Sequence, residues 1–198
     1  HDRIIGSSVV KDSAFTTFWG GGSAGWYDAK NGVVTQKVCS ENLFAVDSKN
    51  GHLAWLYRDG LIVNSTITLA NDRAWFVEAR HPELKSKKKR QLGGSLFWKQ
   101  QYLTCLDLES GKLLWSKPLK IVPGEVALYL AHGSGKLVLV SSGSASYNTY
   151  TFNDGDGEIV WTRKIPWPQD HHGGHMARPA IAGGTVYIRP SALSLVNG

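Results

Sequence analysis

Short runs of apolar residues alternate with polar and glycine positions along this chain, and the same arrangement of runs returns four times. Each arrangement opens with two β-rich runs separated by a polar or glycine pair, which is the pattern of a tight antiparallel hairpin. The predicted hairpins span residues 6–18, 65–77, 126–140 and 180–188. We therefore expect an all-β chain without helices.

A motif with an aspartate, a glycine and a tryptophan at fixed spacing follows each hairpin. Its first copy starts at Ala45 and contains Asp47, Gly51 and Trp55. Aspartate at a strand end accepts hydrogen bonds from turn N–H groups, and glycine takes the positive-φ position, so each copy predicts two strands joined by a turn. The later copies contain Asp107, Gly111 and Trp115; Asn153, Gly157 and Trp161; and Ser194 and Gly198.

The spacing of the motifs predicts the architecture. The motif glycines lie 60, 46 and 41 residues apart, and four-stranded propeller blades repeat in this range. Hairpin plus motif supplies four antiparallel strands, so we predict a single incomplete β-propeller domain over residues 1–198, with about three and a half blades. The predicted blades are about 4–58, 63–117, 125–163 and 176–198, with loop insertions at 20–38 and 81–94.

The repeated pattern Ala-x-Asp-x-x-x-Gly-x-x-x-Trp resembles the tryptophan-docking motif of the pyrroloquinoline-quinone-like (PQQ-like) β-propeller family, and the resemblance covers nearly the whole chain. It implies that Trp55, Trp115 and Trp161 pack between neighbouring blades against the glycine turn of the adjacent copy. The family includes quinoprotein alcohol dehydrogenases and an outer-membrane-assembly lipoprotein. Its closed rings typically have eight blades and sometimes seven, so we expect either that this chain belongs to a longer protein or that the rest of the ring is supplied elsewhere.

Charge, hydropathy and cysteines narrow the possible functions. The net charge is +6, but much of the excess lies in the run Lys85–Arg90, which is typical of a solvated loop tip, so we predict no nucleic-acid interface. We find no apolar run long enough to span a bilayer. Cys105 occupies the small-residue position of its motif and is predicted to be buried; a bond to Cys39 is possible but not expected.

One dense polar cluster is a candidate binding site, and it lies on the predicted connection between the third and fourth blades. Imidazoles this close together could bind zinc or copper; alternatively, they hydrogen-bond neighbouring backbone in a polar loop. The cluster consists of Asp170, His171, His172 and His175.

Our leading functional hypothesis is a non-catalytic scaffold or interaction module that needs no cofactor. Its partners would be proteins or the remaining blades of its parent chain, and the family resemblance implies a periplasmic or otherwise extracytoplasmic location. A first alternative is the propeller portion of a PQQ-dependent dehydrogenase with quinone and calcium. That resemblance would require a catalytic Asp and calcium-binding Glu, Asn and Asp residues, and no residue can be matched to the calcium ligands. Many members also have an adjacent cysteine pair, which is absent here. A second alternative is a metal-dependent enzyme that uses the histidine cluster.

Overall fold

A computed structural model describes residues 2–10, 38–86, 94–124, 127–143, 146–166 and 178–198. These residues form two compact units, one with the described residues up to Leu119 and the other with those from Lys120 onward. Antiparallel strands dominate each unit, which confirms the predicted all-β class.

The first unit contains one eight-stranded sheet in the order β1-β2-β4-β6-β7-β8, with β3 also paired to β2 and β5 to β6. A 3₁₀ turn, Asn64–Thr66, separates β4 from β5. The strands are β1 (Arg3–Val9), β2 (Cys39–Asp47), β3 (Leu53–Tyr57), β4 (Leu61–Val63), β5 (Thr68–Ala70), β6 (Arg73–Ala79), β7 (Gln101–Asp107) and β8 (Leu113–Leu119).

Strand β4 joins the first and second sequence repeats into one sheet. It pairs with β2 through Val63 opposite Cys39, and with β6 through Leu61 opposite Ala79. All three residues of β4 are buried, because the strand has a neighbour on each side. The repeats were predicted as separate four-stranded blades, and the structure instead links these two through the connection between them.

The first strand also differs from the prediction. The sequence pattern predicted a hairpin over residues 6–18, of which everything beyond Val10 lies outside the described residues. In the described part, β1 pairs directly with β2, from Arg3 opposite Asp47 to Val9 opposite Ser40. Strand β1 therefore occupies the place that the prediction gave to the second strand of the hairpin, and Ile5 packs against the core of this unit.

The second unit contains two sheets. In the four-stranded sheet the hairpin strands and the motif strands of the third repeat lie side by side in the order β12-β11-β10-β9. The fourth repeat forms a three-stranded sheet in the order β13-β14-β15. The strands are β9 (Ala127–Gly133), β10 (Lys136–Ser142), β11 (Ser146–Asn153), β12 (Ile159–Pro166), β13 (Ala180–Ala182), β14 (Thr185–Ile188) and β15 (Ser191–Ser194).

Two short helices contradict the prediction of a helix-free chain. Helices α1 (Pro82–Ser86) and α2 (Ser95–Lys99) flank the insertion that was predicted to be a loop. Leu84 and Phe97 are buried, so each helix covers an apolar residue that an extended loop would leave in water. These two are the α-helices of the described residues, and at five residues each they are too short to span a membrane.

The first three motifs each contain a β-bulge that the sequence did not reveal. In the first copy Leu53 pairs with Val46 and Trp55 pairs with Ala45, so Ala54 is an extra residue in its strand. The same shift occurs between β7 and β8 and between β11 and β12. A bulge rotates the side chains that follow it, and accordingly Leu53 is 58% exposed whereas Trp55 is 8% exposed.

Both units have an apolar core that includes one motif tryptophan. The core of the first unit consists of Leu43, Ala45, Trp55, Tyr57, Ile62, Ala74, Phe76 and Leu106. The core of the second unit consists of Val138, Val140, Tyr147, Trp161, Ile165, Val186, Ile188 and Leu195.

The tryptophans of these cores contact the turn of the next motif in the same way. Trp55 Nε1 donates to the Leu108 carbonyl oxygen at 2.9 Å, and Trp161 Nε1 donates to the Leu195 carbonyl oxygen at 3.0 Å. Each acceptor lies three residues before the motif glycine. Trp115 is half-buried, and its Nε1 is shielded from water without a hydrogen-bond partner among the described residues.

Replacing Gly111 tests the contact between Trp55 and the next turn. Gly111 has φ +68°, and a Cβ there would lie 2.5 Å from Cγ of Trp55. Gly51 has φ +74° with open space around it, so Gly51→Ala is the matched control. We expect Gly51→Ala to cost about 1 kcal/mol in the free energy of unfolding, and Gly111→Ala about 3 kcal/mol. Equal losses in chemical denaturation would mean that the indole does not press on the turn.

Candidate functional site

The motif residues predicted from the sequence build turns. Asp47 Oδ1 accepts from the N–H groups of Lys49 at 2.9 Å and Asn50 at 3.2 Å. Asp107 accepts from the hydroxyl and the N–H of Ser110, and these two bonds hold the pKa of Asp107 below its ordinary value. The motif glycines have positive φ, with 74° at Gly51, 68° at Gly111 and 73° at Gly157. These residues have a structural role.

The predicted binding cluster of Asp170, His171, His172 and His175 lies outside the described residues, so its role stays a prediction. Within the ranges that the structure describes, no three His, Cys, Asp or Glu side chains are grouped so that they could hold a metal ion. Cys39 and Cys105 are both buried, and neither forms a disulfide bond.

A buried ion pair lies at the end of β6, on the opposite side of the first unit from the motif turns. Glu78 is fully buried, and its Oε1 lies 2.6 Å from Arg80 Nη2 and 3.0 Å from Arg80 Nε. Two hydroxyls donate to the same oxygen, that of Tyr57 at 2.6 Å and that of Thr104 at 2.8 Å. The side chains of Tyr57, Arg80 and Thr104 therefore hold the Glu78 carboxylate in place, and the guanidinium of Arg80 balances its charge.

Arg80 extends this network to the outermost strand of the second repeat. Its Nη2 donates to Ser116 Oγ at 2.9 Å and to Tyr57 Oη at 3.1 Å. The guanidinium also lies over the ring of Tyr102, 4.4 Å from the centroid, in a cation–π arrangement. We call Tyr57, Glu78, Arg80, Tyr102, Thr104 and Ser116 the Arg80 cluster.

Burial and charge explain the protonation states of the cluster. Burial raises the pKa of Tyr57 far above its ordinary value, and the negative charge of Glu78 raises it further, so Tyr57 stays a neutral donor. Burial alone would lower the pKa of Arg80, but the hydrogen bonds and the charge of Glu78 outweigh it, so the pKa of Arg80 is raised. The guanidinium is therefore always charged.

The Arg80 cluster does not recur in the other repeats. Strand register identifies the equivalent positions. Trp75 pairs with Cys105, the small residue of the second motif. In the same way Val138 pairs with Thr151 of the third motif, and Ile5 pairs with Ala45 of the first. Counting from these pairs, Ser141 and Ser8 stand where Glu78 stands, and Gly143 and Val10 stand where Arg80 stands. The pair of Glu78 and Arg80 is therefore an addition to the shared pattern of the repeats, and it is a candidate for a site specific to this chain.

The cluster lies where two connections of the first unit meet. Asp59, in the connection from β3 to β4, places a carboxylate oxygen 4.0 Å from Arg80 Nη2. The insertion with α1 and α2 begins directly after Arg80, whose N–H donates to the Gln100 carbonyl oxygen at 2.9 Å. We call this the loop end of the first unit, and the end with the motif turns the turn end. The sequence signal we missed is Glu78 itself, a charged residue within an apolar strand.

The ion pair yields a prediction about stability. Arg80→Met leaves Glu78 buried without its cation and is expected to lower the free energy of unfolding by about 3–5 kcal/mol. Glu78→Gln combined with Arg80→Met should cost less than Arg80→Met alone, because no uncompensated charge remains. Ser116→Ala removes a single hydrogen bond and should cost about 1 kcal/mol. Additive losses in a double-mutant cycle would show that the two groups are not coupled.

Tyr57 yields a prediction about alkaline stability. Because its pKa is higher in the folded chain than the ordinary value of 10.0, its contribution to stability is full below pH 10 and declines as the pH rises above 10. We expect Tyr57→Phe to flatten the loss of stability above pH 10, measured by denaturant unfolding at a series of pH values. An unchanged slope would mean that the phenol is not buried against Glu78.

Solved structures similar to this chain include three proteins that are each longer than it. BamB from Moraxella catarrhalis is 13% identical with a TM-score of 0.46, over 80% of this chain and 43% of that one. A europium-containing methanol dehydrogenase is 16% identical with a TM-score of 0.45, over 68% and 24%. The rhamnogalacturonan lyase YesW is 13% identical with a TM-score of 0.49, over 82% and 36%. This chain therefore spans less than half the length of each.

Comparison of sequences gives a family but no individual relative. No curated protein matches this chain. The sequence profile of the PQQ_2 family, described as "Outer membrane protein assembly factor BamB", matches residues 92–197, which include the second and third motif glycines. That match covers more than half of the chain and agrees with the repeated motif that resembles PQQ-like propellers. The chain belongs to the PQQ_2 family of PQQ-like repeat proteins.

Proposed function

We propose that this chain is a non-catalytic β-propeller module that binds other proteins outside the cytoplasm. The family description names an assembly factor of outer membrane proteins, which supports both protein partners and that location. The observation that carries the proposal is the Arg80 cluster, because it combines arginine and tyrosine at one end of a repeat scaffold. These two residue types are enriched among the residues that dominate protein–protein binding energy.

The propeller architecture is part of the proposal. We infer that Trp55, Trp115 and Trp161 are docking residues between about three and a half blades. The hydrogen bonds of Trp55 and Trp161 to the following motif turns support this inference. Further blades would come from the parent chain or from a partner, since the closed rings of this family have more blades than this chain supplies.

The loop end is the proposed contact surface. Rigid elements hold it, because the Arg80 cluster ties β3, β6, β7 and β8 together. Binding to a rigid surface sacrifices little conformational entropy, which favours affinity. The turn end is a less suitable surface, since its motif residues are committed to turn hydrogen bonds and to the tryptophan contacts.

A PQQ-dependent dehydrogenase is the second candidate. Calcium and quinone would need carboxylate and amide oxygens converging on one point. The described residues do not fit this group, because their acidic side chains do not form such a set and their cysteines are not adjacent. A metal-dependent enzyme built on His171, His172 and His175 is the third candidate, and it rests on their sequence spacing alone.

Site-specific photocrosslinking in the parent protein tests the proposal. A benzophenone amino acid at exposed Lys99 lies at the loop end, and one at exposed Lys49 lies at the turn end and serves as the matched control. We expect a protein adduct from position 99 in whole cells and a much weaker adduct, or none, from position 49. Adducts of equal yield at both positions, or at neither, would contradict the proposed surface.

The two enzyme alternatives predict different results. A dehydrogenase would reduce an artificial dye when quinone and calcium are added to the parent protein. A metal enzyme would lose bound metal in the variant with His171→Ala and His175→Ala. We expect no dye reduction above the level without quinone and equal metal content in wild type and variant.

A further inference from the structure

The outer edge of Arg80 is not used by the cluster that holds the residue. All the hydrogen bonds that its side chain makes to described residues involve Nε or Nη2, and Nη1 takes part in none. Nη1 is also not among the polar atoms that are both buried and without a partner, and 23% of the Arg80 side chain is accessible to water. The guanidinium therefore presents two N–H donors to solvent at the loop end.

We propose that Arg80 Nη1 binds a carboxylate of a protein partner. This inference rests on the proposed function, because it names the chemistry of the contact at the loop end. Guanidinium N–H groups match carboxylate oxygens in geometry, and such charge-assisted hydrogen bonds are stronger than those between neutral groups.

The cluster prepares Arg80 for this role by fixing its side chain before the partner arrives. Glu78 and Ser116 hold one edge of the guanidinium, and the ring of Tyr102 supports its face at 4.4 Å. A free arginine loses much rotamer freedom when it binds, whereas Arg80 has already lost it on folding. The burial of Glu78 keeps this arrangement in place, since the carboxylate has no alternative cation among the described residues that contact it.

Asp59 is the natural competitor for the same donors. Its side chain is 59% exposed, and its Oδ2 lies 4.0 Å from Arg80 Nη2. A carboxylate at that distance repels an arriving carboxylate and attracts the guanidinium. The proposal therefore predicts opposite effects for two substitutions. Asp59→Asn removes a negative charge and should strengthen binding of an acidic partner, whereas Arg80→Lys removes the planar guanidinium and should weaken it.

Titration with a defined acidic peptide tests this inference. The probe is a peptide of four Glu-Ser repeats with blocked ends, and its control has four Gln-Ser repeats. In two-dimensional NMR we expect saturable shifts of the Gly60, Arg80 and Tyr102 amides with the glutamate peptide only, at constant ionic strength. Shifts of equal size with the glutamine peptide would overturn the inference.

Four variants make the test specific to Arg80. Arg80→Lys keeps the charge but loses the planar fork and should raise the half-saturation concentration about five-fold or more. Tyr102→Leu leaves the Glu78 pair intact and should raise it about two-fold. Asp59→Asn should lower it about two-fold. Lys49→Gln removes one positive charge at the turn end, where Lys49 pairs with Asp2, and should leave it unchanged.

The outcomes separate this inference from the proposed function. If Arg80→Lys does not fold, Tyr102→Leu and Asp59→Asn still decide, because both leave the Arg80–Glu78 pair in place. Unchanged half-saturation in both would overturn the role of Arg80. If a protein adduct forms at position 99 while both variants bind the peptide unchanged, the proposed interaction module is supported and a residue other than Arg80 contacts the partner. If no adduct forms at position 99, the proposed function is contradicted, whatever the variants do to peptide binding.

Discussion

The indoles of Trp55 and Trp161, each held against the turn of the following motif, make the contact on which the rest of the structure depends. One sequence repeat buries too little apolar surface to be stable alone, so it needs a neighbour. Trp55 supplies that neighbour contact through its ring on Gly111 and its hydrogen bond to Leu108. Trp161 repeats the geometry at Leu195 and Gly198. Because ring and hydrogen bond act together, the contact fixes the spacing and orientation of the first repeat relative to the second, and of the third relative to the fourth.

The residues of the loop end take no part in this contact. The turn end carries the aspartate turns, the positive-φ glycines and the indole acceptors, so its residues are constrained by the scaffold. The loop end carries no part of the motif, and there the second repeat has acquired a helical insertion and the pair of Glu78 and Arg80. Because the repeats contact one another at the turn end, residues at the loop end are available to bind a partner. The proposed function requires this separation.

The sequence predicted the features that local patterns encode. The all-β class and the turns at Asp47 and Asp107 followed from short-range signals, and the indole contacts followed from the resemblance. The bulges did not, because the extra residues Ala54, Leu114 and Val160 share no signature. The double pairing of β4 and the Arg80 cluster depend on strands distant in sequence, so no local pattern could place them. The helices escaped notice because five residues are too few for a periodic signal.

Hydrogen exchange of the indole N–H groups tests the central contact most directly. If the rings of Trp55 and Trp161 are held against the following turns, their Nε1–H signals should exchange roughly a hundred-fold or more slowly than free indole, because exchange then requires local opening of the repeat junction. Exchange of both signals at the rate of free indole, in a chain whose strand amides are protected, would contradict the account.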